Sequence, residues 1–432
     1  MNFQSWGNYP KIHNVVHRFG DYDSLQQLLA QKTEYIARGN GRSYGDSSLN
    51  ENLIYVRPYD CFLSFDNQKG AISVQAGVLL AEILEVIVPK GWFLPVTPGT
   101  KYVTVGGAIA SDVHGRNHHI ENSFCRHVAE LTMMLASGEV VQCSRSEHEE
   151  LFRATCGGMG LTGIILAAKL HLKRITSSLI DQTIVKTRNL QETLQAFDTY
   201  KDVTYSVAWI DCLAKGNALG RGLVTLGEHA ETGQLDYQNR DRVSLPLNLP
   251  SYTLNTATVR IFNTLYYNLN RSCDSAEQVT IDEFFYPLDT IRHWNRIYGN
   301  AGFIQYQFVL PLESSPEGLR EILTGISESG QGSPLAVLKL LGGSNSNWLS
   351  FPMKGFTLAL DFRIQRKLLK LLCDLDKIVI KHGGRFYLAK DARVSREIFE
   401  VGYECIEKFR TLRHQYGMSS KFNSLQSQRV GL

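Results

Sequence analysis

Residues 38–46 read Arg-Gly-Asn-Gly-Arg-Ser-Tyr-Gly-Asp, directly after a short apolar run at Tyr35–Ala37. Glycine lets the backbone take positive φ and approach a ligand closely. Successive backbone N–H groups in such a turn form a concave nest for an anion, with no lysine required. Taken alone, the stretch reads first as a tight glycine turn between two strands. A second stretch shifts the balance. Residues 98–119 read Pro-Gly-Thr-Lys-Tyr-Val-Thr-Val-Gly-Gly-Ala-Ile-Ala-Ser-Asp-Val-His-Gly-Arg-Asn-His-His, again glycines and small residues beside an apolar strand.

Outward from these stretches the pattern alternates short strands with helices. Leu25, Leu28 and Leu29 predict a helix over Ser24–Lys32, led by Asp21 or Asp23. Tyr35–Ala37, Leu53–Val56 and Ala71–Val74 read as strands. Leu79, Leu80, Ile83, Leu84 and Ile87 carry the spacing of a helix over Leu79–Val88, stopped by Pro89 and Gly91. Phe93–Val96 leads into the second stretch. Ala129–Ala136 and Val140–Cys143 read as a hairpin, Glu147–Thr155 as a helix and Leu161–Leu172 as a buried strand. This pattern is α+β rather than doubly wound. Gly158-Met-Gly-Leu-Thr-Gly163 matches G-x-G-x-x-G, but a helix precedes it and a strand follows. A dinucleotide fingerprint needs the reverse order, so an NAD-binding Rossmann domain is excluded.

Beyond residue 176 the character changes. Strands are predicted at Ser206–Ile210, Phe303–Leu310, Leu335–Leu341 and Phe356–Phe362, with helices at Leu190–Tyr200, Gly318–Ser327 and Lys367–Ile380. The polar stretch 213–250, dotted with Gly216, Gly220, Gly222, Gly227 and Gly233, reads as a long loop or lid. Glu397–Arg413 reads as one final amphipathic helix.

The 432 residues carry a net charge of +3, which gives no general electrostatic case for nucleic acid. No apolar run approaches the roughly 18 residues of a membrane span. The opening Met-Asn-Phe-Gln-Ser-Trp-Gly lacks a signal-peptide pattern. Eight cysteines, none in a Cys-x-x-Cys pair, imply reduced thiols and a cytoplasmic protein. Cys61 and Cys373, in apolar company, are expected in the core.

The motifs together resemble the vanillyl-alcohol-oxidase type of FAD-linked oxidases. They are Gly-Arg-Ser-Tyr-Gly-Asp (41–46), Pro-Gly-Thr (98–100), Val-Thr-Val-Gly-Gly-Ala-Ile-Ala (103–110), Asp-Val-His-Gly-Arg-Asn-His-His (112–119) and Gly-Leu-Thr-Gly-Ile-Ile (160–165). Near the C-terminus they continue in Ala-Val-Leu-Lys-Leu-Leu-Gly (336–342), Leu-Ser-Phe-Pro (349–352) and Gly-Gly-Arg-Phe-Tyr-Leu-Ala-Lys-Asp-Ala-Arg (383–393). The cluster is specific, although no single motif is. It is most similar to the branch that oxidises a ring hydroxyl of a polyprenyl-phosphoryl pentose, the flavoprotein half of a two-enzyme epimerase.

The resemblance implies a two-lobed FAD-binding PCMH-type domain over 1–175 and an antiparallel-sheet substrate domain flanked by helices over 176–385. A C-terminal segment, 386–432, would return to the FAD domain. FAD would be held by Arg38, Gly39, Asn40, Gly41, Arg42, Ser43, Tyr44 and Gly45 of the first stretch. Thr97, Pro98, Gly99, Thr100, Val103, Gly106, Gly107, Ala110, Ser111, His114, Gly115, Asn117 and His118 of the second would join them, with Gly160, Gly163 and Ile164. Many relatives link FAD covalently through a histidine in the first loop. Arg42 stands at that place, so the flavin is expected to be non-covalent. Ala359 stands where some members of the branch carry a pocket-lining cysteine. The implied partners are a lipid-linked or small sugar, a short-chain NAD(P)-dependent reductase, and peripheral contact with the inner face of a membrane in cell-wall or surface-polysaccharide synthesis.

Alcohol oxidation by a flavin needs a proton acceptor, a C–H aimed at the ring and charge stabilisation. His114 is one candidate, since its ordinary pKa suits proton traffic near neutral pH; as a residue type it reads equally as structural. Lys390 with Tyr387, in the matching C-terminal segment, is the other. A lysine base requires burial to lower its pKa. Lys390 could also stabilise the anionic reduced flavin or bind the substrate phosphate, and as a lone lysine it reads as a solvated surface charge. Gln305 and Gln307 alternate along a strand and share a face; with Lys339 and Asn295 they could hold substrate hydroxyls, or form a polar outer face. Trp6 reads as packing. A zinc cluster of His114, His118 and His119 lacks a plausible ligand set, and His118 and His119 read as loop residues bonded to backbone. Other readings are an alditol or aldonolactone oxidase, a flavin-free carbohydrate- or partner-binding protein and, distantly, a zinc hydrolase.

Overall fold

The computed structural model describes residues 3–239, 243–250, 253–272 and 275–432. The fold is α+β, built on three principal sheets. Asn52–Tyr55 lies between Val15–His17 and Ile36–Arg38 in a small parallel sheet. An antiparallel five-stranded sheet runs in the order Phe62–Asp66, Ala71–Gln75, Ile164–His171, Val128–Met134, Val140–Ser144. The helix Tyr22–Ala30 starts at Asp21, whose carboxylate accepts from Ser24 N–H, and it buries Leu25 and Leu29. Helix Leu80–Ile87 buries Leu80, Ile83, Leu84 and Ile87; the chain leaves it through Pro89 and Gly91, the latter at φ +80°. Helix Glu149–Thr155 precedes the glycine run at 157–163 and strand Ile164–His171 follows it.

The third sheet has eight strands, all antiparallel: Glu277–Thr280, Leu179–Thr187, Gly222–His229, Tyr205–Ile210, Ala336–Leu341, Gly355–Arg363, Phe303–Pro311 and Arg385–Phe386. Alternation divides its residues between two environments. On strand Phe303–Pro311, Tyr306 donates to Asp376 of helix Arg366–Lys381 and Leu310 packs at Gly318 of helix Ser315–Ser329. Gln305 and Gln307 point the other way, toward the glycine stretches. Helices therefore cover one face and leave the other free to line a site.

Several expectations are corrected. The stretch 213–250 is not one lid, because Gly222–His229 is an interior strand of the large sheet. Its glycines disguise it, and they are there for close packing. A Cβ at Gly227 would lie 2.4 Å from the Phe284 ring, and one at Gly222 would lie 2.5 Å from the Trp209 carbonyl oxygen. Residues 240–242 of that stretch, like Cys273, lie outside the described residues. Helix Thr256–Leu269 was not foreseen, and Val105–Ala110 inside the second glycine stretch is helical, capped by Thr104. Glu397–Arg413 is two helices, Arg396–Gly402 and Ile406–Gln415, separated by extended Tyr403. Cys61 and Cys373 are exposed rather than in the core: one opens an edge strand, the other lies on the outer side of its helix. All seven described cysteines are free thiols.

The C-terminal residues pack on the N-terminal sheets. Asn423 N–H bonds Tyr35 O, the buried Arg413 guanidinium donates to Leu161 O and Asn423 Oδ1, and Arg429 forks between Asp46 and Asp391. Among the described residues, no helix is long and apolar enough to cross a membrane.

Candidate active site

A cavity of about 540 Å³ lies between the glycine stretches and the free face of the eight-stranded sheet. One wall is backbone. Gly39, Gly41, Gly106, Gly107 and Gly160 line it, and side chains are excluded at several of them. A Cβ at Gly39 would sit 2.2 Å from Thr104 Oγ1; Gly41 has φ +64° with the Arg38 guanidinium directly behind it. Asn40 joins the two stretches by donating to Tyr102 O at 2.7 Å. Asp289 fixes the second stretch from across the cavity, accepting from Thr100 Oγ1 and Lys101 N–H, both at 2.8 Å. Beneath it lies the fully buried carboxylate of Asp112. Its Oδ2 accepts from Asn345, Asn347 and Ser350, and its Oδ1 from Cys125 N–H.

The opposite wall is the sheet. Gln305, Gln307, Lys339, Thr357, Ala359, Val207 and Trp209 project into the cavity. The register places Ala359 opposite both Gln307 and Val337, and Thr357 opposite Lys339. The reading of Gln305 and Gln307 as an outer polar face is thus overturned. Lys339 and Arg116 face each other electrostatically across this wall: burial and then Arg116 bring the Lys339 pKa down to about 8.

His114, Tyr387 and Lys390 meet where the walls join. Gln307 Nε2 lies 3.1 Å from His114 Nε2 and donates also to Thr357 Oγ1. His114 Nδ1 has no partner. Burial holds the imidazole well below its ordinary pKa, and Lys339, His118 and Lys390 push the same way, so His114 is neutral. Tyr387 stacks on Phe351 at 4.7 Å and donates its hydroxyl to Ser111 O at 2.9 Å. Burial raises its pKa well above the ordinary value, so it stays protonated. Lys390 Nζ lies 3.7 Å above the centre of the Tyr44 ring. Tyr44 N–H is itself bonded to Ala389 O, which clamps the first glycine stretch to this turn. Burial depresses the Lys390 pKa while the buried Asp361 carboxylate opposes it. Asp361, raised by burial, accepts from Gln305 Nε2 at 2.5 Å.

Of the FAD residues expected from sequence, six do not line the cavity. Arg38 lies under the first loop and donates to Gln4 O and Ser48 O. Gly45 and Gly115 pack against Asp391 O and Thr97 O respectively. Asn117 donates to Pro95 O, His118 Nδ1 accepts from Gly342 N–H, and Ile164 is buried in its strand. Asn295 is also outside, bonded to Trp6 O. Trp6 is not simple packing: it lines the cavity with Arg42 4.0 Å over its ring. Sequence reasoning missed Arg116, Asp289 and Asp361. Arg116 stood inside the second quoted stretch, whereas the two aspartates carried no local signal. Among the described residues, no group of three or more His, Cys, Asp or Glu side chains could hold a metal.

A backbone-lined cavity, tight glycines and an arginine whose buried Nε lacks a partner fit a large anionic cofactor. Fold and site, taken with the family and relatives that the chain matches, make it a flavin-dependent oxidoreductase that acts on a CH–OH group. The FAD binding domain family matches residues 22–144. Decaprenylphosphoryl-beta-D-ribose oxidase of Mycolicibacterium smegmatis is 36% identical over 92% of this chain and 89% of its own. An uncharacterised protein of Streptomyces coelicolor is 31% identical over 82% of this chain and all of its own length. L-gulonolactone oxidase of Mus musculus is 29% identical, over 40% of each chain. The chain belongs to the FAD-linked oxidases, in the group that includes the M. smegmatis enzyme.

Proposed function

We propose that the chain oxidises a ring hydroxyl of a polyprenyl-phosphoryl pentose to a ketone, as one half of an epimerisation. A nicotinamide-dependent reductase would complete that epimerisation. The observation that carries the reading is the cavity lining, where the sheet supplies Gln305, Gln307, Thr357 and the cation Lys339, and Arg116 adds a second cation from the glycine stretch. Amides and hydroxyls suit a sugar, and clustered cations suit its phosphate. The gulonolactone oxidases match this chain over less than half its length, whereas the M. smegmatis relative matches it over nearly all.

Bound FAD supplies a two-electron acceptor. The chain's own residues do the rest. Lys390, kept close to neutral by burial, accepts the hydroxyl proton at Nζ. Neutral His114, held by Gln307, orients the hydroxyl. Tyr387, tied to Ser111 O, fixes the turn that carries Lys390. Arg42 and the glycines hold the cofactor without a covalent bond. The lipid-linked substrate places this work at a membrane surface.

The test is anaerobic flavin bleaching in a single turnover. A polyprenyl-phosphoryl pentose is expected to bleach the flavin, and free alditols and aldonolactones are not. Bleaching by the free sugars alone overturns the substrate assignment.

A further inference from the structure

Helix Thr256–Leu269 buries Val259, Asn263 and Tyr267 against the protein. Its opposite side presents Ile261, Phe262, Leu265, Tyr266 and Leu269, exposed at 59%, 46%, 54%, 40% and 78%. The spacing makes one continuous apolar stripe. Beside it in sequence, Val243, Leu247 and Leu249 are also exposed. From Val243 to Ser272 the chain contains no aspartate or glutamate, while Arg260 and Arg271 supply positive charge. Two stripe residues, Phe262 and Tyr266, also line the catalytic cavity, and Tyr266 packs on Trp209 at 4.9 Å. The apolar surface therefore runs without a break from solvent into the site.

We infer that this helix and the 243–250 segment form a bilayer-docking surface that seats the cavity mouth at the lipid interface. An amphipathic helix with aliphatic and aromatic side chains on one face and flanking arginines lies in the headgroup region. The arginines meet lipid phosphates, the stripe enters the acyl boundary, and the prenyl chain of the substrate reaches the cavity past Trp209, Phe262 and Tyr266. This last step rests on the proposed function; the docking does not.

The experiment is co-sedimentation of the FAD-loaded protein with phosphatidylcholine–phosphatidylglycerol vesicles that contain no polyprenyl sugar. The variant Ile261→Asp/Leu265→Asp/Leu269→Asp avoids every cavity-lining residue. Partitioning is expected to fall roughly tenfold for each side chain replaced. Flavin absorbance and turnover of a detergent-dispersed substrate should be retained. A wild-type protein that stays in the supernatant, or a variant that partitions equally, overturns the inference. So does a wild-type dimer, found by sedimentation equilibrium, that the triple variant converts to a monomer without any vesicle binding. Vesicle binding with no oxidation of a polyprenyl-phosphoryl pentose sinks the substrate assignment and leaves the docking surface standing.

Discussion

Gln307 Nε2 lies 3.1 Å from His114 Nε2, joining the free face of the large sheet to the second glycine stretch across 193 positions of sequence. The contact is buried, and Thr357 Oγ1 accepts a second bond from the same amide. It is the direct link between the sheet wall and the histidine of the backbone wall. With the amide donating, His114 is the Nδ1–H tautomer and its orientation is fixed.

Gln307→Leu keeps the approximate volume and removes the donor. Turnover is expected to fall about 10- to 100-fold, in line with the loss of an orienting hydrogen bond. FAD affinity should hardly change, because Gln307 belongs to the sheet wall. Steady-state kinetics beside a flavin titration separate the two. Unchanged kcat would remove His114 orientation from the mechanism.

Lys390→Met removes the proposed proton acceptor and should lower kcat by roughly 10²- to 10⁴-fold. The pH profile carries the sign. Burial lowers the Lys390 pKa, so the amine loses its proton at lower pH than an ordinary lysine. Because the neutral amine is the active form, wild-type kcat rises with pH through that depressed pKa. The variant's residual rate should lose this limb. A wild-type rate that falls with rising pH over the same range contradicts the assignment.

The legible part of this site was the part made of backbone. Gly39 and Gly41 announce themselves because a side chain meets Thr104 at the first and a left-handed backbone at the second, and Gly106 and Gly107 because a Cβ there would already be tight. Gln305 and Gln307 were legible as sharing one face, since strand alternation is local, but which environment that face met depended on helices far along the chain. Asp361 and Asp289 were invisible for the same reason: their partners Gln305 and Thr100 lie 56 and 189 positions away. Strand Gly222–His229 was read as loop because its glycines answer to the Phe284 ring and the Trp209 carbonyl, not to a turn. Arg116 lay in plain view, but nothing local separated a cavity-facing arginine from a solvated one.

Gly39→Ala tests the backbone wall. The new Cβ would fall 2.2 Å from Thr104 Oγ1, the atom that accepts from Gly107 N–H at the start of helix Val105–Ala110. The methyl therefore pushes the two glycine stretches apart. FAD affinity is expected to fall about tenfold or more, a shift of about 1.4 kcal/mol. Gly20→Ala provides a control away from the cavity, since a Cβ there meets nothing within 4 Å and the backbone is not left-handed. Fluorescence titration of apoprotein with FAD measures both. Equal affinities would place the flavin elsewhere.

Asp112→Ala tests what holds the second stretch in place. The carboxylate is fully buried and accepts from Asn345, Asn347, Ser350 and the Cys125 amide. Hydrogen bonds to a charged group are the strong ones, and truncating the acceptor leaves buried donors unmet. The cost is expected at about 3 kcal/mol or more, seen as a lower denaturation midpoint in urea at unchanged slope. Residues 345–350 would lose their anchor to the segment that leads into His114. Turnover should therefore fall further than stability alone accounts for at temperatures where the variant is fully folded. A variant with wild-type stability would mean that water replaces the carboxylate, and that the Asp112 network does not position His114.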